Sequence, residues 1–217
     1  MIHLNLHREP AQGLTALCLG AHSDDIEIGC GGTILWLGEK YPAAVFHWVV
    51  LSASGVRGAE AQRAAELFAG PTGLKGPLLK NFRDGFMPFV GYEVKEVFEE
   101  LKRQVSPDLI LTPNCQDAHQ DHRLVAELTW NTFRDHLVLE YEIPKYDGDM
   151  GHPSVFVPLE AEVCRKKVRY LMEAFPSQHT KRWFGEDTFL SLMRLRGMEC
   201  NAPSGYAEAF YCRKLVL

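Results

Sequence analysis

The sequence predicts an α/β fold, a Rossmann-like, mainly parallel sheet with helices on both faces. Three observations lead there. Short apolar runs alternate with amphipathic stretches through the first 143 residues, reading β-α-β-α-β-α-β-α-β; repeated crossovers of that kind favour parallel strands. The first run is apolar almost throughout rather than at every second residue, as a strand covered on both faces is. Ionisable residues then gather just after expected strands, where open α/β sheets bind ligands.

Residues 14–21 (LTALCLGA), between Gly13 and the polar HSDD, predict the first strand. A glycine-rich GCGGT segment at 29–33 opens into ILWLGEK, a helix ended by Pro42. Residues 43–54, rich in β-branched and aromatic side chains, predict the second strand. Residues 55–58 read as loop, and the alanine-rich 59–69 as a helix closed by Gly70 and Pro71. A third strand is expected at 77–82, leading into an Asp84-Gly85 turn. Val94, Val97, Phe98, Leu101 and Val105 form a helical stripe within 92–105, which Ser106-Pro107 stops. Residues 109–111 predict a short buried strand, 123–135 a helix and 137–143 another strand.

The tail is less regular. A loop rich in proline and glycine covers 144–160, with a short strand at 155–157. Helices are expected over 160–175 and 186–198, with a break at 176–178 and a closing strand over 207–217. No internal repeat interrupts the pattern, so residues 1–217 are expected to form one domain.

Apolar residues at 46% and charged residues at 24% exclude disordered and fibrous classes. Lys and Arg number 23 against 28 Asp and Glu, a net charge of −5 without a basic run. Neither nucleic acid nor an anionic membrane surface is an expected partner. No apolar stretch approaches the ~20 residues that cross a bilayer, so no membrane insertion is expected. The MIHLNLHREP start lacks the cationic and apolar parts of a leader. Six scattered cysteines without a CxxC pair favour reduced thiols and a cytoplasmic location.

Two loops carry most of the ionisable residues that packing does not call for. One is Ala21-His22-Ser23-Asp24-Asp25; the other is Asp117-Ala118-His119-Gln120-Asp121-His122. Together they bring three imidazoles and four carboxylates to the same sheet edge, and a bound cation is the simplest counterweight. Two histidines and one carboxylate are a usual ligand set for catalytic zinc, with a position left open. His22 and Asp25 stand three apart, as do His119 and His122, a spacing that aims both members of a pair the same way. Taken singly, each residue has a plain structural reading, with the aspartates as helix caps and the histidines on a solvated loop.

AHSDDIEIGCGGT resembles the AH-P-DD-x-x-x-G-x-GG-T signature of the PIG-L/LmbE-like de-N-acetylase family, and DAHQDHR resembles its D-x-H-x-DH-R signature. VRGAEAQRAAELF, the Ser177-Gln178 pair and the terminal GYAEAF are similar too. The resemblance implies a Zn²⁺-dependent hydrolase that removes an N-acetyl group from an amino-sugar-containing small molecule. It implies His22, Asp25 and His122 as zinc ligands and Asp24 as general base on the attacking water. His119 would stabilise or protonate the tetrahedral species, Asp121 would orient His119 or His122, and Arg57 would contact substrate. Ser23 stands where the family usually has proline. Asp117 stands where some members carry a tyrosine that helps bind the oxyanion, which leaves that role without a residue here. Relatives commonly oligomerise, so a homo-oligomer stays open.

Two alternatives accompany this reading. One is an amidase acting on a larger sugar conjugate. The other, of a different class, is a Rossmann-type nucleotide-binding module built on Gly29, Gly31 and Gly32. The missing GxGxxG spacing and the acidic HSDD speak against it, and close helix–sheet packing accounts for the glycines. Arg63 reads as a surface or packing residue. The 144–160 loop, with Tyr146, Asp147, Asp149 and His152, reads equally as a solvated connector or a specificity loop.

Overall fold

The computed structural model describes residues 13–216; the MIHLNLHREP segment and Leu217 lie outside the described residues. β1 (Thr15–His22) lies inside the sheet, parallel to β2 (Val45–Ser52) on one side and β4 (Leu109–Pro113) on the other. β3 (Leu74–Leu79) extends the sheet beyond β2, and β5 (Leu137–Tyr141) extends it beyond β4, both in parallel. β7 (Ala207–Tyr211) then pairs antiparallel with β5, and β6 (Val155–Pro158) antiparallel with β7. The order is β3-β2-β1-β4-β5-β7-β6. The expected mainly parallel sheet is what forms, with its one reversed strand contributed by the tail.

Alternation along β1 explains why its sequence is apolar throughout. Ala16 and Cys18 face a core built with α1 (Asp25–Lys40), α2 (Gly55–Gly73), α5 (Ala161–Ala174) and α6 (Glu186–Glu199). Leu17, Leu19 and Ala21 face a second core built with α3 (Gly91–Gln104) and α4 (Gln120–Thr132). Both faces of the strand are covered, so neither can be polar.

The chain leaves β1 towards β2 and β3, and later returns to β4 on the opposite side. β1 and β4 therefore flank the switch point, the place where open α/β sheets bind ligands. The loops at their carboxyl ends are the two singled out in the sequence.

Several boundaries differ from expectation, and each has a cause. α1 begins at Asp25 rather than after the glycines, because those glycines sit inside the helix as contact points. A Cβ on Gly29 would stand 2.1 Å from the Tyr141 ring, one on Gly31 2.5 Å from Phe68, and one on Gly32 2.5 Å from Leu159. The helix kinks at Cys30 (φ −144°, ψ 15°). Lys167 of α5 donates to the Ile28 carbonyl at 2.6 Å, and Glu208 of β7 accepts from the Gly32 and Thr33 N–H groups at 2.8 and 2.6 Å. A 2.6 Å ion pair joins Lys167 to Glu208. The tail thus satisfies the polar groups that the kink exposes, as buried backbone groups require. Side chains fill the space at each glycine, and Glu208 takes the N–H groups of Gly32 and Thr33, so close packing accounts for the glycines.

The expected 55–58 loop is the first turn of α2, which places Arg57 on a helix. Likewise α4 starts at Gln120 rather than Arg123, with His119 as its N-cap, so Asp121 and His122 stand in its first turn. β3 begins at Leu74, and the closing strand ends at Tyr211.

Candidate active site

His22 ends β1, Asp24 caps α1, and Asp25 is the first residue of that helix. Across the switch point, the β4–α4 loop brings His119 and His122 alongside. His22 Nδ1 lies 3.1 Å from His122 Nε2 and 3.5 Å from Asp25 Oδ2, and His122 Nε2 lies 3.3 Å from the same oxygen. Ligands held tetrahedrally at ~2.1 Å from a zinc ion stand about 3.4 Å apart. The three atoms therefore form a triangle of the size that such an ion spans. The outer nitrogens are also placed as ligating histidines require, each against a carboxylate. His22 Nε2 meets Asp84 Oδ1 at 3.0 Å and Asp121 Oδ2 at 3.2 Å, while His122 Nδ1 meets Asp117 Oδ2 at 2.9 Å. By donor type and spacing, the residues fit a divalent cation.

His119 belongs to the same group. It offers a nitrogen within 4.8 Å of ligand atoms of His22 and His122, and a second such set joins His22, Asp84, His119 and Asp121. Its Nδ1 accepts the Asp121 N–H at 3.3 Å, which leaves Nε2 as the protonated nitrogen. That Nε2 lies 4.0 Å from Asp84 Oδ1.

The electrostatics are those of a nest that calls for positive charge. Burial opposes charge on Asp25, yet His122 and His22 outweigh it and hold its carboxyl well below the usual range. Burial also opposes charge on His122, but Asp25 and Asp117 raise its pKa to about 9. The same balance, with Asp25, Asp121 and Asp84, lifts His22 well above the imidazole range. Protons or a metal cation meet that demand equally. His119 goes the other way, lowered by burial and then by His22 and His122. Burial pushes the Asp24 carboxyl up, with Arg57 pulling it down and Asp25 adding to the push. Behind them Glu27 is fully buried with neither oxygen bonded among the described residues, and burial raises its carboxyl well above the ordinary value.

Arg57 reaches the site but is already held. Its Nη2 donates to Asp24 Oδ1 at 2.7 Å and its Nη1 to Glu60 Oε2 at 3.0 Å, with the Phe175 ring 5.5 Å away. Glu60 in turn accepts from the Ser177 N–H at 2.8 Å and hydroxyl at 2.7 Å. Arg57, which the resemblance implies as a substrate contact, supports Asp24 here, because α2 begins early enough to aim it there. Asp121 is placed differently as well. Its carboxylate lies on His22, not on His119 or His122, and accepts the N–H groups of Gly85 and Met87 at 2.7 and 3.1 Å. The first turn of α4 turns that carboxylate towards the 84–87 loop, and Asp117 takes the place beside His122.

Four supporting residues had weaker signals. Asp117 stood in the quoted motif without a role, and Asp84 resembled a family aspartate beside the site while reading equally as an ordinary Asp-Gly turn. Glu60, three after Arg57, matched i,i+3 helical spacing once that segment was helical. Lys145, in the connection after β5, had no signal at all.

Fold and site together define an α/β protein with a donor set able to hold a cation at its switch point. The chain belongs to the PIG-L family: the model of that family, GlcNAc-PI de-N-acetylase, matches residues 17–133. Three solved structures are similar in fold. N,N'-diacetylchitobiose deacetylase from Pyrococcus horikoshii is 18% identical, with a TM-score of 0.69 over 91% of this chain and 83% of that one. A conserved protein from Thermus thermophilus is 22% identical, with a TM-score of 0.75 over 94% and 96%. The 4-carboxy-2-hydroxymuconate hydratase from Pseudomonas putida is 18% identical, with a TM-score of 0.70 over 94% and 98%. One fold thus serves two reaction types, and the reaction has to be argued from the site.

Proposed function

We propose that this protein is a zinc-dependent hydrolase that removes the N-acetyl group of an amino-sugar-containing substrate, releasing acetate and the free amine. The observation that carries the proposal is the 3.1–3.5 Å triangle of His22 Nδ1, His122 Nε2 and Asp25 Oδ2 beside the Arg57-held Asp24. Family membership and the fold shared with diacetylchitobiose deacetylase support the N-acetyl sugar as substrate class.

His22, Asp25 and His122 would hold the ion. A divalent cation in such a set supplies Lewis-acid polarisation of a carbonyl and lowers the pKa of water. Asp24 takes a proton from the attacking water; Arg57 occupies its Oδ1, so the proton falls to Oδ2. Water oxygen joins the carbonyl carbon, the carbon–nitrogen bond breaks, and the proton held by Asp24 passes to the leaving nitrogen to give the free amine. His119 Nε2–H is the hydrogen-bond donor placed to stabilise the developing oxyanion. Asp117 and Asp121 fix the rings of His122 and His22.

No helix among the described residues is long and apolar enough to cross a membrane. All six cysteines are free, which supports a cytoplasmic setting for the enzyme. The test is acetate release from a panel of N-acetylated sugars and one larger sugar conjugate, with metal content measured on the same sample. Cleavage of the larger amide in the conjugate, without acetate from the N-acetylated sugars, would favour the amidase alternative. No acetate from a zinc-loaded sample would overturn the proposal.

A further inference from the structure

Lys145 lies in the 142–154 connection between β5 and β6, with its side chain 11% exposed. Its ammonium stands 3.0 Å from Asp117 Oδ2 and 2.6 Å from Asp149 Oδ2. Asp117 Oδ2 is the same oxygen that meets His122 Nδ1 at 2.9 Å, and Asp117 Oδ1 accepts the His119 N–H at 2.8 Å. Asp149 Oδ2 accepts the Ala118 N–H at 2.7 Å. One ammonium therefore ties this connection to the turn that carries both histidines of the β4–α4 loop.

We propose that Lys145 is a positioning residue for the cation site, holding Asp117 where it fixes the His122 ring and its ligating nitrogen. The inference rests on the reading of His122 as a metal ligand. A ligating imidazole needs its outer N–H donated to an acceptor that does not wander, so that the inner lone pair keeps its aim. Asp117 is nearly buried, and Asp149 approaches the same ammonium. Removing the positive charge leaves two carboxylates facing each other in poorly solvated surroundings, where repulsion is several times stronger than in water. Relief comes from parting the connection from the turn or from rotating Asp117 outward. Either movement loosens the bond to His122 Nδ1. Arg123 does not substitute, because it donates to the backbone carbonyls of Asp117 and Ala118 rather than to the carboxylate. Lys145 thus acts on the ion through Asp117 and His122, without touching it.

The test is zinc affinity of the full chain, measured by competition with a chromogenic chelator, alongside thermal melting. Lys145→Met should weaken zinc binding about 10–100-fold, the scale of lost outer hydrogen bonds to metal-ligating histidines, while still melting cooperatively. Lys145→Arg keeps the charge and should recover most of the affinity. Should Lys145→Met fail to fold, Lys145→Gln carries the same expectation. Wild-type affinity in the neutral variant overturns the proposal, and so does equal loss in Lys145→Arg, which would assign the effect to packing. His122→Ala is the control for the underlying reading: unchanged zinc affinity there removes His122 from the ligand set and takes this inference with it.

Discussion

Arg57 Nη2 donates to Asp24 Oδ1 at 2.7 Å, joining the first turn of α2 to the residue that caps α1. Glu60 and Ser177 complete the clamp, so the proposed base is held from α2 and, through Glu60, from the 176–178 turn. Arg57→Ala should therefore lower kcat about 10–100-fold, with a smaller rise in KM, because the lost interaction serves the transition state. Steady-state kinetics decide between the two roles. A change confined to KM would return Arg57 to the substrate contact that the family resemblance implies.

His119 presents Nε2–H because its Nδ1 is engaged at the N-terminus of α4. His119→Ala should keep bound zinc and slow turnover by on the order of 10²–10⁴. Metal analysis and turnover on one preparation check both halves. Loss of zinc would make His119 a ligand, as its place in the His22–His119–His122 group allows.

The Lys167–Glu208 pair is buried and braces the kink that follows Asp25 in α1. Glu208→Ala leaves a buried ammonium and two backbone N–H groups without their acceptor. Breaking such a pair from one side costs about 3–5 kcal/mol. Urea unfolding should read a loss of that size. A loss below about 1 kcal/mol would mean that Gly32 and Thr33 find another acceptor.

Burial raises the thiols of Cys18 and Cys30 well above their ordinary value and lifts Cys164 to about 11. Thiolate, the reactive form, is therefore scarce in all three at pH 8. Iodoacetamide should modify them only on unfolding, while partly exposed Cys115, Cys200 and Cys212 react first. Mass spectrometry of the labelled native protein gives the answer. Rapid labelling of Cys18 would contradict the core described for β1.

How much of this was legible in the sequence depends on the distance over which each feature is decided. The strand at 15–22 is visible because burial on both faces leaves a continuous apolar run, and the one at 45–52 because it is rich in β-branched and aromatic side chains. The two loops are visible because charge without a packing purpose stands out. The start of α1 was hidden: glycine reads locally as a break, while Tyr141, Phe68 and Leu159, distant in sequence, make its lack of a side chain a packing need. The bond between Arg57 and Asp24 spans 33 residues and needs the α2 boundary to be right. Lys145 meets Asp117 only through the fold of an irregular connection, and no periodic signal marks it.

The assignment of Asp24 and Asp25 to different tasks is the centre of the account. Asp25 Oδ2 lies within 3.5 Å of both candidate histidine ligands, while Asp24 is turned to Arg57. The direct measurement is zinc content and acetate release on Asp24→Asn and Asp25→Asn side by side. Asp24→Asn preserves shape and should keep its zinc while losing most of kcat; Asp25→Asn should bind zinc more weakly. An Asp24→Asn protein without zinc, beside an active Asp25→Asn protein, would contradict the account.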